Sequence, residues 1–464
     1  MTSRLWRPGA GAFVLAILGA CASSTPPQPT PAEQLAAITR ELDRLQGEAE
    51  RLADVSAIKR LQRAYGYYLE AAQWDQMTDL FADSGSIEIA QDGVYVGKEH
   101  VRRYLNALGG GHVGLRSGQL SEHFQLQPVI DVAPDGQSAK GRWRALIMSG
   151  QFKQNARWGE GTYENEYVKD HGIWKLAKLH WYQTFLVPYE GGWAKNHDLT
   201  GGVFVGKKLT PDQPPSEHYG VWPAVYIPPF HYKNPAPSGE AAQPALPAGA
   251  SGSLGELEKA VASLKERIER LKDADEVENL VSMYGYYLDK QQWDLLTDLF
   301  APDGSMEISQ RGIYKGHAGV RRALELFGPQ NIEPEHLHNH IQIQPVIQVA
   351  ADGTRAWTRS RALSELGTYQ RVGIWGDGVY ENEYVKVNGV WKIYKDHVYT
   401  TFFATYDKGW ENGAGKSPKA SPKIPPDAPP SEIYESFPDI YVPPFHYKHP
   451  VTGQPIKWTP GGAP

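Results

Sequence analysis

The sequence predicts two α+β domains in tandem. The segment Tyr65–Gly85 returns as Tyr284–Gly304 with identity at 14 of 21 positions, and the match continues almost to the end of the chain. Within each copy, helical periodicity comes first and alternating strand patterns separated by turn signals follow, an order typical of an α+β domain. A repeat of this length is a duplicated whole domain, because solenoid units span only about 20–50 residues.

The chain begins with the pattern of a secretory signal. Arg4 and Arg7 precede an apolar stretch and the small residues before Cys21, and this stretch is too short for a conventional membrane-spanning helix. The letters LGAC resemble a bacterial lipobox, in which the cysteine is lipidated and becomes the mature N-terminus; a plain signal with a chance cysteine is the alternative. The resemblance implies a cell-envelope protein held through Cys21 on the periplasmic face of the outer membrane, since Ala22 rather than aspartate follows.

Composition shifts and the repeat divide the chain. The letters PPFHYK close each copy, at Pro228–Lys233 and Pro443–Lys448, and Pro- and Ala-rich letters follow the first of them, as in a linker. The predicted divisions are a signal peptide and lipobox at 1–21, a tether at 22–33, a first domain at 34–235, a linker at 236–252, a second domain at 253–450 and a C-terminal tail at 451–464.

Each copy opens with a heptad-patterned helix. Apolar residues spaced three and four apart run through Leu35–Leu52 and Leu254–Leu271, the seam of a short coiled coil. Pairing of the two helices within the chain is favoured over pairing with another chain, because both copies carry one. A separate amphipathic helix is predicted at Val55–Ala72, and a shorter helix at Gln73–Phe81.

The second part of each copy is predicted as an antiparallel sheet. In the first copy a helix at Lys98–Leu108 ends at three glycines, and the pairs Asp135-Gly136 and His171-Gly172 are hairpin signals. The Pro-rich tails 209–235 and 424–450 cannot join a central strand and are expected to run extended over the surface. The predicted strands are Ser86–Ala90, His123–Val132, Ser138–Gln151, Gly161–Lys169 and Ile173–Phe185.

Charge and composition narrow the classes of partner. A net charge of −6 gives no case for nucleic-acid binding. The chain holds 25 tyrosines and 14 tryptophans, which suit cavities for aromatic or hydroxylated ligands but also fill cores. Cys21 is the only cysteine, so no disulfide forms within the chain.

The letters WDxxTDLFA, GxYENEY and G[IV]WK, in this order, resemble the SnoaL-like branch of the NTF2-like superfamily. The resemblance covers about residues 52–190 and 271–410. It implies two cone-shaped α+β barrels, each with a ligand cavity inside a curved sheet, packed sheet to sheet as an intrachain pseudo-dimer, with further oligomerisation left open. It leaves the activity open, because this fold hosts dehydratases, isomerases, cyclases and non-catalytic binders.

The resemblance implies candidate catalytic residues in both copies. Tyr65 and Tyr284 match the oxyanion-binding tyrosine of ketosteroid isomerase, although that enzyme's catalytic aspartate falls at an isoleucine here. Scytalone dehydratase supplies an acidic residue and a histidine, whose positions match Glu70 with His123 in the first copy and Asp289 with His340 in the second. A carboxylate and an imidazole in one dry cavity can pass a proton between them. The Asp289–His340 pair is favoured; a solvated helix end and core histidines are the alternatives.

Further residues are predicted to contact the ligand. On a strand, Tyr163 and Asn165 of YENEY share one face, which the resemblance turns inward, and Glu164 and Glu166 share the other. Tyr68 is a second candidate for polarising a carbonyl or leaving hydroxyl, and His180 on the last strand is a second cavity histidine. The equivalent residues of the second copy are Tyr287, Tyr380, Asn382 and His397.

The second copy carries three histidines at alternate positions. His336, His338 and His340 share one face of an extended segment, a spacing that can bind zinc. The favoured interpretation is that His340 lies in the cavity and the other two lie near the mouth of the cone. Neither a metal nor a cofactor is predicted.

The leading prediction is a cofactor-independent lyase, dehydratase or isomerase acting on a small hydroxylated, aromatic molecule, for example one that loses formaldehyde. The competing prediction is a non-catalytic, lipid-anchored envelope module that binds a ligand or a protein.

Overall fold

The computed structural model describes residues 30–232 and 254–458. Cys21, the signal sequence and the linker at 236–252 lie outside the described residues. Within the described ranges, no helix has both the length and the apolar character required to cross a bilayer. The described chain folds into two α+β domains, which we call cone one and cone two.

Cone one consists of a mixed sheet with helices on its concave side. The strand order is β2-β1-β6-β5-β4-β3, with β1 and β6 parallel and the other pairs antiparallel, so β3 lies at an edge. The elements are α1 Pro31–Glu70, α2 Trp74–Asp79, β1 Phe81–Ile89, β2 Val94–Val96, α3 Lys98–Leu108, β3 Gln119–Val132, β4 Ser138–Gln151, β5 Asn155–Asp170, β6 Ile173–Pro188 and α4 Gly192–Lys195.

Cone two repeats this topology with the order β8-β7-β12-β11-β10-β9, and a short β13 pairs with β12. Its elements are α5 Leu254–Asp289, α6 Trp293–Thr297, β7 Phe300–Ile308, β8 Ile313–Lys315, α7 Gly316–Leu324, β9 His336–Val349, β10 Arg355–Thr368, β11 Val372–Val387, β12 Val390–Thr405, α8 Gly409–Asn412 and β13 Ala414–Gly415. The duplication of a whole α+β domain is thus confirmed.

The first helix of each cone is longer than predicted. The sequence analysis separated a heptad helix from an amphipathic helix at Val55–Ala72, but α1 runs unbroken over 40 residues, because no proline follows Pro31 within it and Gly47 and Gly66 are tolerated in its interior. Its N-terminus carries a capping box between Thr30 and Glu33. The N-terminal parts of α1 and α5 pack together through the cluster Leu42, Ala49, Leu257 and Leu264, so the predicted pairing within the chain is correct.

The convex faces of the two sheets pack against each other, as the sequence analysis expected. Their shared core includes Phe124 and Met148 from cone one and Leu363 and Phe402 from cone two. The equivalent residues Trp158 and Trp375 meet edge to face with ring centroids 5.5 Å apart. Because these aromatic and aliphatic side chains are buried between the sheets, the cones form one packed unit.

The pairing departs from twofold symmetry. Trp410 of cone two is fully buried against cone one, whereas its equivalent Trp193 is 52% exposed. The proline-rich tail of cone two also covers cone one: Phe445 packs on Tyr68, and the ring of His449 stacks on the same tyrosine at 5.5 Å. The tails therefore run extended over the surface, and the second one reaches the partner domain.

Candidate functional site

Cone one encloses a cavity of about 210 Å³ between the concave face of the sheet and the helices α1 and α3. Strand alternation selects the residues that line it, since every second side chain of a strand points to the same face. Most of the wall is apolar, including Leu69, Trp74, Ile87, Leu105, Ile147 and Trp181. The polar side chains among this lining include Tyr65, His112, Gln119, Ser121, His123, Ser149, Tyr163 and Gln183.

Two tyrosines lie in this wall as neutral hydroxyl groups. The rings of Tyr65 and Tyr163 meet edge to face with centroids 5.8 Å apart. Burial raises the pKa of Tyr163 to about 12, and burial together with the neighbouring Tyr163 raises the pKa of Tyr65 well above its usual range. Both therefore keep their protons at neutral pH and can donate hydrogen bonds to an oxygen of a ligand. The inward direction predicted for Tyr163 is correct.

His123 lines this cavity from β3. It alternates with Glu122 and Phe124 along β3, which point to the convex side. Its Nδ1 is buried and has no hydrogen-bond partner among the described residues. Burial lowers the pKa of His123 to about 4, so the imidazole is neutral at pH 7. A neutral imidazole with an unoccupied ring nitrogen can exchange a proton with a ligand.

Gln183 was not among the predicted site residues. Its amide oxygen accepts a hydrogen bond from Trp181 Nε1 at 3.0 Å, and its amide nitrogen donates to the buried Asp198 at 3.0 Å. Both contacts fix the orientation of the amide at the cavity wall. The sequence does contain a signal for Gln183. It follows Trp181 by two residues, so alternation places both side chains on one face of β6.

Glu70 does not pair with the His123 imidazole, which corrects the prediction. Its carboxylate accepts a hydrogen bond from the backbone N–H of His123 at 3.2 Å and binds Arg361 of cone two at 2.7 Å. The physical reason is that β3 is an edge strand, whose outward N–H groups need acceptors when they are buried. Arg361 also binds Glu122 and Asp377, so Glu70 belongs to a buried charge cluster between the cones.

The favoured pair of cone two is wrong in the same way. Asp289 accepts a hydrogen bond from the backbone N–H of His340 at 2.5 Å and is absent from the cavity lining. The imidazole of His340 does line the cavity of cone two, and burial lowers its pKa to about 3. The carboxylate at the end of each first helix thus caps an edge strand instead of facing a histidine across a cavity.

Several predicted ligand contacts lie elsewhere in the fold. Tyr68 packs under the tail of cone two, and its equivalent Tyr287 packs against the core of cone two without lining the cavity. Asn165 is buried below the cavity and donates a hydrogen bond to Gln62 at 3.0 Å. Asn382 donates instead to Asp396 at 2.9 Å. Tyr284 and Tyr380 do line the cavity of cone two.

His180 and His397 lie on the convex face, opposite to the predicted one. The register of β5 and β6 shifts by one residue between Tyr167–Leu176 and Glu166–Lys178, and such a bulge moves the following side chains to the other face. The ring of His180 therefore stacks on Tyr182 at 3.9 Å, with Nδ1 3.5 Å from Glu88. His397 shows the same arrangement with Tyr399 and Glu307.

The cavity of cone two is much smaller, about 60 Å³. Phe327 stands where cone one has Leu108, and Met306 stands where it has Ile87. Arg311, which replaces Asp92, adds a further large side chain to the lining. The two cones therefore contain cavities of different size.

The alternating histidines of β9 do not form a metal cluster. His338 and His340 have ring centroids 4.6 Å apart, whereas His336 is exposed. His338 Nδ1 lies 3.1 Å from the backbone oxygen of Leu288. In residues 30–232 and 254–458, no group of histidine, cysteine and acidic side chains is arranged to hold a metal ion.

Two domains with a curved sheet, covering helices and an inward cavity define the class of this protein. Residues 50–180 and 269–395 match the SnoaL-like domain family. These segments make up more than half of the chain, so the protein belongs to the SnoaL-like family, in tandem duplication. The predicted resemblance to the SnoaL-like branch of the NTF2-like superfamily is confirmed.

Solved structures similar to a single cone include three from bacteria. A putative scytalone dehydratase from Novosphingobium aromaticivorans is 24% identical, covering 32% of this chain and 98% of its own, with a TM-score of 0.27. A hexachlorocyclohexane dehydrochlorinase from Novosphingobium barchaimii is 21% identical over 30% and 92%, with a TM-score of 0.27. ActVI-ORFA from Streptomyces coelicolor is 18% identical over 27% and 95%, with a TM-score of 0.24.

Proposed function

We propose that cone one is a cofactor-independent lyase, of dehydratase or isomerase type, for a small hydroxylated aromatic molecule. The observation that carries the proposal is the buried, unpaired Nδ1 of His123 in the wall of a largely apolar cavity. A buried polar atom without a partner costs free energy in the unliganded protein. A ligand hydroxyl or an acidic C–H placed against it would relieve that cost.

The proposed chemistry uses three of the polar side chains of the wall, His123, Tyr65 and Tyr163. The neutral His123 takes a proton from the carbon next to a carbonyl, and the electron pair of that C–H bond forms the new double bond. Tyr65 and Tyr163 donate hydrogen bonds to the carbonyl oxygen as negative charge develops on it. The imidazolium then returns the proton to the leaving hydroxyl, so the C–O bond breaks, water leaves and the imidazole is neutral again.

The alternative is a ligand-binding module without chemistry. It is favoured by the absence of a carboxylate from the described cavity wall of cone one, since Glu70 is held by Arg361 and the backbone of His123. A histidine that works alone must serve as both base and acid. Turnover, rather than binding, therefore separates the two proposals.

The test is a set of β-hydroxy ketones and hydroxylated aromatic alcohols, incubated with the full chain and followed by mass spectrometry for loss of water or formaldehyde. Leu108→Phe introduces into cone one the residue that cone two carries at the equivalent position. It narrows the cavity of cone one and should abolish turnover. Phe327→Leu, the reverse change in cone two, is the matched control and should leave turnover unchanged. Binding of these compounds without product formation would favour the binding module.

We also propose that the protein acts at the bacterial envelope, held by a lipid on Cys21. The support is the order of basic residues, short apolar stretch and LGAC at the start of the sequence. The paired first helices and the extended tails would then place the cones beside the membrane surface. An aromatic substrate would be met there before it reaches the cytoplasm.

A further inference from the structure

Cone two carries a cation at a position where cone one carries an anion. Asp92 of cone one is buried, and its carboxylate accepts hydrogen bonds from the backbone N–H of Val205 at 2.9 Å and from Tyr104 at 2.7 Å. The equivalent of Asp92 in cone two is Arg311, and Ala323 replaces the tyrosine. The substitution removes a structural anion and adds a guanidinium to the wall of the cavity of cone two.

The guanidinium of Arg311 has no partner among the described residues. It lies 5.5 Å from the ring centroid of Phe327, and neither an ion pair nor a hydrogen bond is formed by its side chain in residues 30–232 and 254–458. Burial lowers its pKa from that of a free arginine, but an arginine stays protonated in a protein. A partly buried and unpaired cation is costly, and an anion bound beside Arg311 would lower that cost.

The carboxylate that shares this cavity is already engaged. Asp377 lines the same space, and its Oδ2 binds Arg361, while its Oδ1 has no hydrogen-bond partner among the described residues. The remaining polar wall consists of hydroxyl groups and an imidazole, including Ser364, Thr400 and the unpaired Nδ1 of His340. Hydroxyl groups and a guanidinium together form a site for an oxyanion rather than for a cation.

We propose that cone two binds a small carboxylate, held by the Arg311 guanidinium. The planar fork of an arginine matches the two oxygens of a carboxylate, which makes the contact stronger than a neutral hydrogen bond. The cavity of about 60 Å³ limits the ligand to a few non-hydrogen atoms. Phe327, on which the guanidinium lies, would hold the fork in place. The site is separate from the catalytic proposal for cone one and does not depend on it.

The test uses the full chain and two matched pairs of probes, acetate with acetamide and propionate with propionamide. Isothermal titration calorimetry at constant ionic strength should show binding of the carboxylates and none of the neutral amides. Arg311→Gln should weaken carboxylate binding about 10- to 100-fold, the range expected for a hydrogen bond to a charged group. Arg116→Gln, at the mouth of the cavity of cone one, is the matched control and should bind as the wild type does.

A second variant covers the case that Arg311→Gln does not fold. Arg311→Lys keeps the charge but loses the fork, and should show partial loss of carboxylate affinity. Equal binding of amides and carboxylates, or no binding of either by the wild type, would overturn the proposal. So would a loss of binding in Arg116→Gln with normal binding in both Arg311 variants, because the anion would then lie in cone one.

Discussion

Glu70 binds the backbone N–H of His123, with a nitrogen–oxygen distance of 3.2 Å, while the imidazole of His123 points away from it into the cavity of cone one. The two residues are therefore neighbours without being an acid–base pair. The carboxylate satisfies an edge strand and an interdomain arginine, and the imidazole remains available to a ligand. We therefore expect substitutions of Glu70 and substitutions of His123 to have different effects.

The first prediction is that the imidazole of cone one carries the proposed turnover. His123→Ala should lower turnover by about 10²–10⁴-fold, the usual contribution of a general acid–base group. His340→Ala is the matched control in cone two and should leave this turnover unchanged, because its cavity is too small for an aromatic substrate. Initial rates with a substrate found in the β-hydroxy ketone set provide the measurement; equal losses in both variants would contradict the assignment to cone one.

The second prediction concerns the charge cluster between the cones. Arg361 is 5% exposed and binds Glu70, Glu122 and Asp377. Arg361→Met would leave three buried carboxylates without their cation and should cost about 3–5 kcal/mol in the free energy of unfolding. Burial raises the pKa of Glu70 to about 7 and raises those of Glu122 and Asp377 as well, so the loss should be smaller at pH 5, where these groups take up protons.

Cone one offers the matched control for this change. Arg144 is the equivalent of Arg361, but its side chain is 50% exposed and pairs with Glu160. Arg144→Met should therefore change the free energy of unfolding by at most about 1 kcal/mol. Urea unfolding followed by tryptophan fluorescence measures both variants. Similar losses in the two would show that burial of the charge is not the cause.

Sequence patterns correctly predicted those parts of the fold that are determined by residues close together in the sequence. The bounds of α3 and β4 agree with the prediction, because glycines and turn pairs end these elements. Tyr163 faces inward as alternation required. The inversion of His180 could not be predicted, because the bulge that causes it is a register shift between two strands and leaves no signal in a single segment.

The roles of Glu70 and Asp289 depended on contacts far along the chain. The sequence places an acidic residue at the end of each first helix, but the acceptor is used by an edge strand that lies more than fifty residues away. The size of each cavity was equally hidden. Leu108 and Phe327 are both apolar, and their difference in size affects the cavities only because both side chains lie in the cavity wall.

The third prediction concerns the membrane anchor. Cys21→Ser should release the protein from the membrane fraction, because a lipid on the cysteine is the proposed attachment. Membrane fractionation and metabolic labelling with a fatty-acid analogue measure it, and His123→Ala should stay in the membrane as the control. A Cys21→Ser protein that remains membrane-bound and labelled would show that the lipobox interpretation is wrong.

The fourth prediction arises from a polar group that the two cones place on different elements. In cone one, Gln62 of α1 accepts the hydrogen bond of Asn165, and Leu179 lies at the equivalent of Asp396. In cone two the helix carries Val281, and Asp396 on β12 accepts from Asn382 instead. Each cone thus supplies one buried acceptor for its asparagine, from the helix in one case and from the strand in the other.

Asp396 should make the stability of cone two depend on pH. Burial raises its pKa to about 7, although hydrogen bonds from Asn382 and Tyr284 favour the charged form. A carboxyl whose pKa is higher in the folded state stabilises the fold below the unfolded pKa of about 4, and this contribution is lost as the pH rises to about 7. Above that pH the loss amounts to roughly 4 kcal/mol.

The double variant Val281→Gln with Asp396→Leu copies the arrangement of cone one and removes this titration. Its free energy of unfolding should fall less between pH 5 and pH 8 than that of the wild type, whereas Asp396→Leu alone should be destabilised at both pH values because the asparagine loses its acceptor. Urea titrations at the two pH values measure the difference. A wild type and a double variant with the same pH dependence would show that Asp396 is not the group that titrates.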